Sequence, residues 1–228
     1  SSGHEEYKHI LGSWFVWIYH IMYAIMTSNS KVIVCHERLY DKKKSHLVRI
    51  SRLDDRWLKD RKDALLDKIR LLYVGRMSAE KGIFDFLKMF NQIKFDVHFS
   101  IVGNSENKNI LNKSIKLLGY IADPQSLIDI YDEHNIMILP SYTEGTPYVV
   151  DESLSRKRPV IIFEDIAYIV RDKTGVFVTK RDIDSFLKTT KYIMENYLEI
   201  QKNMEKNILP TKKDMIKQIS DIIKFQNP

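Results

Sequence analysis

Apolar and polar positions follow one rhythm in the first quarter of this chain and another from Ile69 onward. Beyond Ile69, short apolar runs are separated by longer stretches whose apolar residues return at helical spacing. Residues 69–74 (IRLLYV), 97–102 (VHFSIV), 115–121 (IKLLGYI), 135–139 (NIMIL), 159–163 (PVIIF) and 175–178 (GVFV) read as strands. Their near-continuous apolarity suits strands covered on both faces. Helices are expected at 82–93, where Ile83, Phe86, Leu87 and Phe90 share a face. Others are expected from Pro124, at 146–156, and from 183 to 225 with a break at Pro210. This alternation predicts right-handed βαβ units and an α/β fold with a doubly wound parallel sheet. Such sheets bind ligands beyond the carboxyl ends of their strands, which directs attention to the residue after each strand.

The first quarter is different. Residues 7–27 read as one long apolar helix, 31–35 as a short β-branched strand, 47–50 as another apolar stretch, and 54–68 as a charged helix. This is too little to make a domain by itself. The run at 14–26 (WFVWIYHIMYAIM) is shorter than the ~20 residues a membrane span needs and contains His20. It reads as a buried helix, with a membrane-surface or partner-facing helix as the alternative. The opening SSG resembles an expression-vector scar, and no cleavable signal peptide is evident.

Composition changes the picture little. Of 228 residues, 44% are hydrophobic and 29% charged, with both signs interspersed, as in a folded globular protein. A net charge of +6 favours anionic partners without choosing among phosphorylated ligands, lipid and nucleic acid. The single cysteine, Cys35, excludes an intramolecular disulfide and a cysteine metal site; it reads as a small core residue in a reducing compartment.

The chemistry concentrates after two strands. GRMSAEKG (75–82) puts Arg76 in a loop and Lys81 at the mouth of the next helix. Cations at a helix N-terminus cost ~0.3–1 kcal/mol each, a cost that a bound anion reverses. Two solvated cations, or cations neutralised by Glu80, are the plain alternative. PSYTEGTPYVVDESL (140–154) offers Thr146 as N-cap and Pro147 as first helical residue, with Gly145 permitting close approach and Glu144 just ahead. Glu152 falls four residues after Tyr148 and three after Val149, on the face that turns inward. A buried carboxylate needs a partner: ribose hydroxyls, or an arginine or lysine.

GRMSAEKG followed by EGTPYVVDE resembles the C-terminal domain of family 4 glycosyltransferases, which have the two-domain GT-B fold. SIVGN (100–104), LLGYI (117–121) and RPVIIF (158–163) extend the resemblance over about 69–200. It implies that Arg76 and Lys81 grip a donor diphosphate, and that Glu144 and Glu152 contact the donor sugar and the nucleotide ribose. It also implies that Gly75 and Gly103 belong to the donor site, that the amides of Gly145 and Thr146 donate to phosphate, and that Tyr120 and Ile121 lie against the base. Three features depart from the family pattern. Gly103-Asn104-Ser105 replaces Gly-x-Gly, Lys157 stands where glycine is common, and EDIAYIV (164–170) lacks the glycines and glutamate usual in that loop.

The same resemblance makes 4–50 the remnant of an acceptor-side N-terminal domain, 51–68 a linker, 69–200 the donor domain and 201–228 terminal helices. His4 would then be an acceptor-side residue. The implied reaction is sugar transfer with retention from a nucleoside-diphosphate sugar to a glycan or lipid-linked glycan, in surface-polysaccharide synthesis. Arg76, Lys81 and Glu144 would be catalytic, with no cofactor and no metal. The expected place is the cytoplasm or, peripherally, the inner face of a membrane, with no nucleic-acid partner. With most of the first domain absent, the chain is expected to bind nucleotide and to transfer sugar poorly. A nucleic-acid-binding protein and a non-catalytic interaction domain are the rival classes; the spread of the basic residues weighs against the first and the four charged site residues against the second. A dinucleotide oxidoreductase lacks its G-x-G-x-x-G after the first strand.

Overall fold

The six apolar runs from Ile69 onward form one sheet in which every neighbouring pair is parallel. A computed structural model of the chain describes residues 16–28, 30–35, 40–104 and 114–224. It divides into two compact units, residues 50–214 and residues 1–49 with 215–228. The first unit holds β3 (Ile69–Val74), β4 (Val97–Val102), β5 (Ile115–Gly119), β6 (Ile136–Leu139), β7 (Val160–Phe163) and β8 (Val176–Thr179), in the order β5-β4-β3-β6-β7-β8. The chain therefore winds outward from β3 through β4 to β5, then returns to place β6 on the other side of β3. At that reversal the connections leave in opposite directions and a crevice opens at the carboxyl ends of β3 and β6.

Both faces of the sheet are covered, and the central strands are apolar for that reason. Leu71, Leu72 and Tyr73 of β3 and all of β6 and β7 are buried. Helix α3 (Ile83–Phe90) lays Phe86 edge-on against Phe99 of β4 (5.3 Å between centroids) and Phe186 of α6 (Ile183–Glu195) (5.2 Å). Helix α4 (Pro124–Glu133) starts as its sequence directs, with Asp123 accepting from the Ser126 amide at 2.7 Å and Pro124 in the first turn.

The expected helix over 54–68 shrinks to α2 (Asp55–Leu58). The reason is a buried ionic cluster. Asp132, Arg156 and Arg158 have side chains only 1% exposed. Arg156 grips Asp132 with Nε and Nη2 (2.9 and 2.6 Å) and donates to the carbonyls of Trp57, Lys59 and Asp60 (3.0, 2.7 and 2.9 Å). Arg158 donates to the carbonyl of Lys62 at 2.9 Å, and Asn135 to those of Leu65 and Lys68 (2.9 and 2.7 Å). These side chains satisfy the carbonyls of the segment without a helical ladder, and it runs irregularly, with Asp60 left-handed at φ 48°.

Other boundaries move less. Strand β5 ends at Gly119, whose φ of 70° turns Tyr120 and Ile121 out of the sheet. Helix α5 (Tyr148–Ser155) begins one residue later than expected: Pro147, extended at ψ 105°, takes the N-cap position, so Thr146 is not the cap. Lys157 has φ 55°, the left-handed conformation that explains why a glycine suits that place. The tail is three helices, α6, α7 (Tyr197–Met204) and α8 (Lys212–Lys224).

In the second unit, β1 (Val32–Val34) pairs in parallel with β2 (Ser45–Leu47). Cys35 is exposed, not a core residue, since it follows the end of its strand. Helix α1 (Val16–Ser28) exposes Trp17, Ile21, Met22, Tyr23, Ile25 and Met26 and so is not the buried helix expected; apolarity shows that a surface favours cover, not that this chain supplies it. No helix among the described residues is long and apolar enough to cross a membrane.

Removing one partner from a buried ion pair leaves a charge without compensation. Asp132→Ala is expected to lower unfolding free energy by about 3–5 kcal/mol in urea denaturation; a loss under about 1 kcal/mol contradicts the role given to the cluster.

Candidate functional site

A cleft of about 810 Å³ lies at the carboxyl ends of β3 to β6, within the larger unit. Its floor is built by close backbone contact. The Gly75 amide donates to the Val102 carbonyl at 2.9 Å, and the Gly103 amide to that of Gly119 at 2.8 Å. Gly103 has φ 146°, and a Cβ there would lie 1.9 Å from the Gly75 carbonyl oxygen. Only glycine fits there; Ser105, which stands for the second glycine of the family pattern, lies outside the described residues. Beneath Gly75, the buried Tyr73 hydroxyl donates to the Arg76 carbonyl at 2.6 Å. Burial first, then the charges of Glu144 and Glu80, raise the Tyr73 pKa, so the phenol stays a donor. The Arg76 side chain projects into solvent, 79% exposed, 3.5 Å from Glu80.

Lys81 ends a 3-10 turn (Ala79–Lys81), and Gly82 follows at φ 61°. A Cβ on Gly82 would lie 2.0 Å from the Pro140 carbonyl oxygen, so the loops after β3 and β6 touch there. That contact brings Lys81 to Glu144. Lys81 Nζ donates to Glu144 Oε1 at 2.7 Å, and Ser141 Oγ donates to the same oxygen at 2.6 Å. The carboxylate is 8% exposed and the lysine 23%. Lys81 is thus no stray surface cation: its charge is held at the cleft by a carboxylate on the neighbouring loop.

Glu152 is buried on α5, as its helical phase predicts. The protein partner is a phenol: Tyr131 donates to Glu152 Oε2 at 3.0 Å. Burial raises the Glu152 pKa above 4.5; the Tyr131 hydrogen bond and the Arg52 charge pull it down, and Asp151 pushes it up. The Arg52 guanidinium stands 4.6 Å over the ring of Tyr148, and both line the cleft.

Of the residues singled out in the sequence, Gly75, Arg76, Lys81, Gly103, Tyr120, Ile121, Glu144, Thr146 and Glu152 all line this one cleft. Gly145 is exposed beside it and outside the lining. His4 lies outside the described residues. Sequence reasoning missed Tyr131, Arg52, Gly82 and Ser141. Gly82 was legible as a glycine directly after a cation at a strand end. Arg52 was not, because the tethers that bring its segment to the sheet are long-range.

A group whose pKa is higher in the fold than in the unfolded chain contributes full stability below its ordinary value. That contribution is lost as pH rises through the raised value. Glu152 is such a group. Glu152→Gln is therefore expected to melt above the native chain at neutral pH and together with it below pH 4.5. An equal difference at both pH values, read by thermal melts, contradicts this.

A family model described as "Glycosyl transferases group 1" matches residues 68–196. The capsular polysaccharide biosynthesis glycosyltransferase CapM of Staphylococcus aureus is 28% identical over 147 residues, covering 57% of this chain and 38% of CapM. A glycosyltransferase of Haemophilus influenzae is 29% identical over 132 residues, 52% of this chain and 37% of that protein. The chain therefore spans well under half the length of either. Among solved structures, a glycosyltransferase from Rickettsia africae superposes with a TM-score of 0.71 at 16% identity, covering 91% of this chain and 67% of that one. HepE of Anabaena, in complex with UDP and glucose, gives 0.67 at 15% identity, with 86% and 63% covered. At such identities the structures establish a shared GT-B fold. The matched span takes in more than half of the chain and includes Arg76, Lys81, Glu144 and Glu152 of the cleft, and the chain belongs to the Glycosyl transferases group 1 family.

Proposed function

We propose that the cleft is the donor site of a retaining glycosyltransferase and binds a nucleoside-diphosphate sugar. One observation carries this reading: Lys81 and Glu144 meet at 2.7 Å where the sheet reverses, in a cleft that Arg76 and the buried Glu152 also line. The diphosphate takes Arg76, Lys81 and the amides of Gly145 and Thr146. The ribose hydroxyls take the Glu152 oxygen that Tyr131 leaves, and the sugar hydroxyls take Glu144. Tyr120 and Ile121 border the base.

When the bond from the anomeric carbon to the diphosphate breaks, positive charge gathers on the sugar and negative charge on the leaving group. In this reading Arg76 and Lys81 lie against that negative charge, which lowers the barrier electrostatically and asks for no metal or cofactor. The acceptor hydroxyl attacks on the face the diphosphate leaves, and its proton passes to the departing phosphate oxygen. The acceptor is proposed to be a glycan or lipid-linked glycan met in the cytoplasm or at a membrane surface. The polysaccharide role of CapM and the UDP and glucose in HepE support this reading.

Calorimetry with UDP, GDP and ADP tests it: one of them is expected to bind, and absence of binding by all three at millimolar concentration overturns it. Lys81→Ala is expected to weaken that diphosphate about 10- to 100-fold, the loss of a charge-assisted bond, and to leave the nucleoside unchanged. An equal loss for both contradicts a phosphate role.

A further inference from the structure

EDIAYIV, the loop that departs from the family pattern, contributes no side chain to the cleft lining. It forms two 3-10 turns over Glu164–Ile169, kinked at Ile166. It nonetheless reaches the site. The Tyr168 hydroxyl donates to the Glu144 carbonyl at 2.6 Å, and the Glu144 amide donates back to the same hydroxyl at 2.9 Å. One phenol thus satisfies both backbone polar groups of a single residue, which fixes the orientation of its peptide as no single hydrogen bond would.

The neighbouring stretch is held from the same side. Arg181, between β8 and α6, donates to the Pro140 carbonyl at 2.9 Å and to Asp165 at 2.7 Å. Its guanidinium lies 4.1 Å from the Tyr142 ring centroid and 4.4 Å from that of Phe163. Pro140 is also where Gly82 presses in. The loop is therefore pinned at its root by Arg181 and Gly82 and at residue 144 by Tyr168. Between these points the Glu144 side chain meets Ser141 and Lys81.

We propose that Tyr168 is a positioning residue that locks the Glu144 peptide and thereby sets the sugar end of the donor site more than the diphosphate end. The proposal rests on the donor-site reading given above. Arg76, Gly75 and Gly103 are held by other elements, whereas Lys81 meets the Glu144 carboxylate and the Gly145 amide adjoins the locked carbonyl. Loss of the lock therefore weakens the diphosphate end too, but less than the sugar end. The Glu144 amide, engaged by the phenol, is not a phosphate donor; its carboxylate is what Tyr168 delivers.

Tyr168→Phe keeps the ring and removes both bonds. Two measurements on the full chain test it: amide hydrogen exchange over residues 140–146, and calorimetry with three pairs, UDP and UDP-glucose, GDP and GDP-mannose, ADP and ADP-glucose. Exchange at Glu144 is expected to quicken about tenfold or more, diphosphate affinity to stay within about twofold, and nucleotide-sugar affinity to fall about tenfold. Retained diphosphate binding shows that the variant is folded. Glu164→Ala, on the same loop and exposed, is expected to change neither affinity. Unchanged exchange in Tyr168→Phe, equal losses for diphosphate and sugar nucleotide, or the same loss in Glu164→Ala overturns the role of Tyr168. A native chain that binds none of the six ligands overturns the donor-site reading itself, and the role of Tyr168 with it.

Discussion

Two glycines with no room for a Cβ hold the functional end of this molecule together. Gly103 presses on the Gly75 carbonyl and Gly82 on the Pro140 carbonyl, so the loops after β3, β4 and β6 are drawn into backbone contact. Everything chemical follows from that contact. Lys81 precedes one of these glycines and Glu144 follows the loop it touches, and they meet at 2.7 Å as a consequence. Parallel winding places the reversal of the sheet at β3 and β6; the glycines turn that crevice into a site with fixed walls.

The site is built charged and already paired. Lys81 is balanced by Glu144, Arg76 faces Glu80, and Glu152 receives the Tyr131 hydroxyl. In the proposed donor site an incoming diphosphate would share Lys81 with Glu144. The burial of Glu152 has the opposite sign for the fold: it is a cost, which the proposed ribose contact would offset. Stability and function pull apart at that residue, which is common where a site is made before its ligand arrives.

How much of this the sequence revealed depends on the range of the interaction. Strands buried on both faces announce themselves as near-continuous apolar runs, even with a Ser100 or an Arg70 among them, and so the α/β fold could be read from six such runs. Arg76, Lys81 and Glu144 could be read from their place after strands, and Glu152 from its helical phase. The irregular segment 59–68 could not, since nothing local in it shows that Arg156, Arg158 and Asn135 take its carbonyls. Tyr131 and Tyr168 look like ordinary aromatics until the partners of their hydroxyls are known. Cys35 and α1 misled for a related reason: an apolar neighbourhood predicts burial only where the fold provides a cover.

The account stands on where a nucleoside diphosphate lies. A crystal structure of the chain with UDP, or with whichever diphosphate it binds, tests that directly. The account predicts the diphosphate between the loops after β3 and β6, with Lys81 Nζ about 3 Å from a phosphate oxygen and Glu152 on the ribose hydroxyls. A diphosphate bound elsewhere, with Lys81 and Glu144 paired to each other and Glu152 bonded to Tyr131 alone, would contradict it.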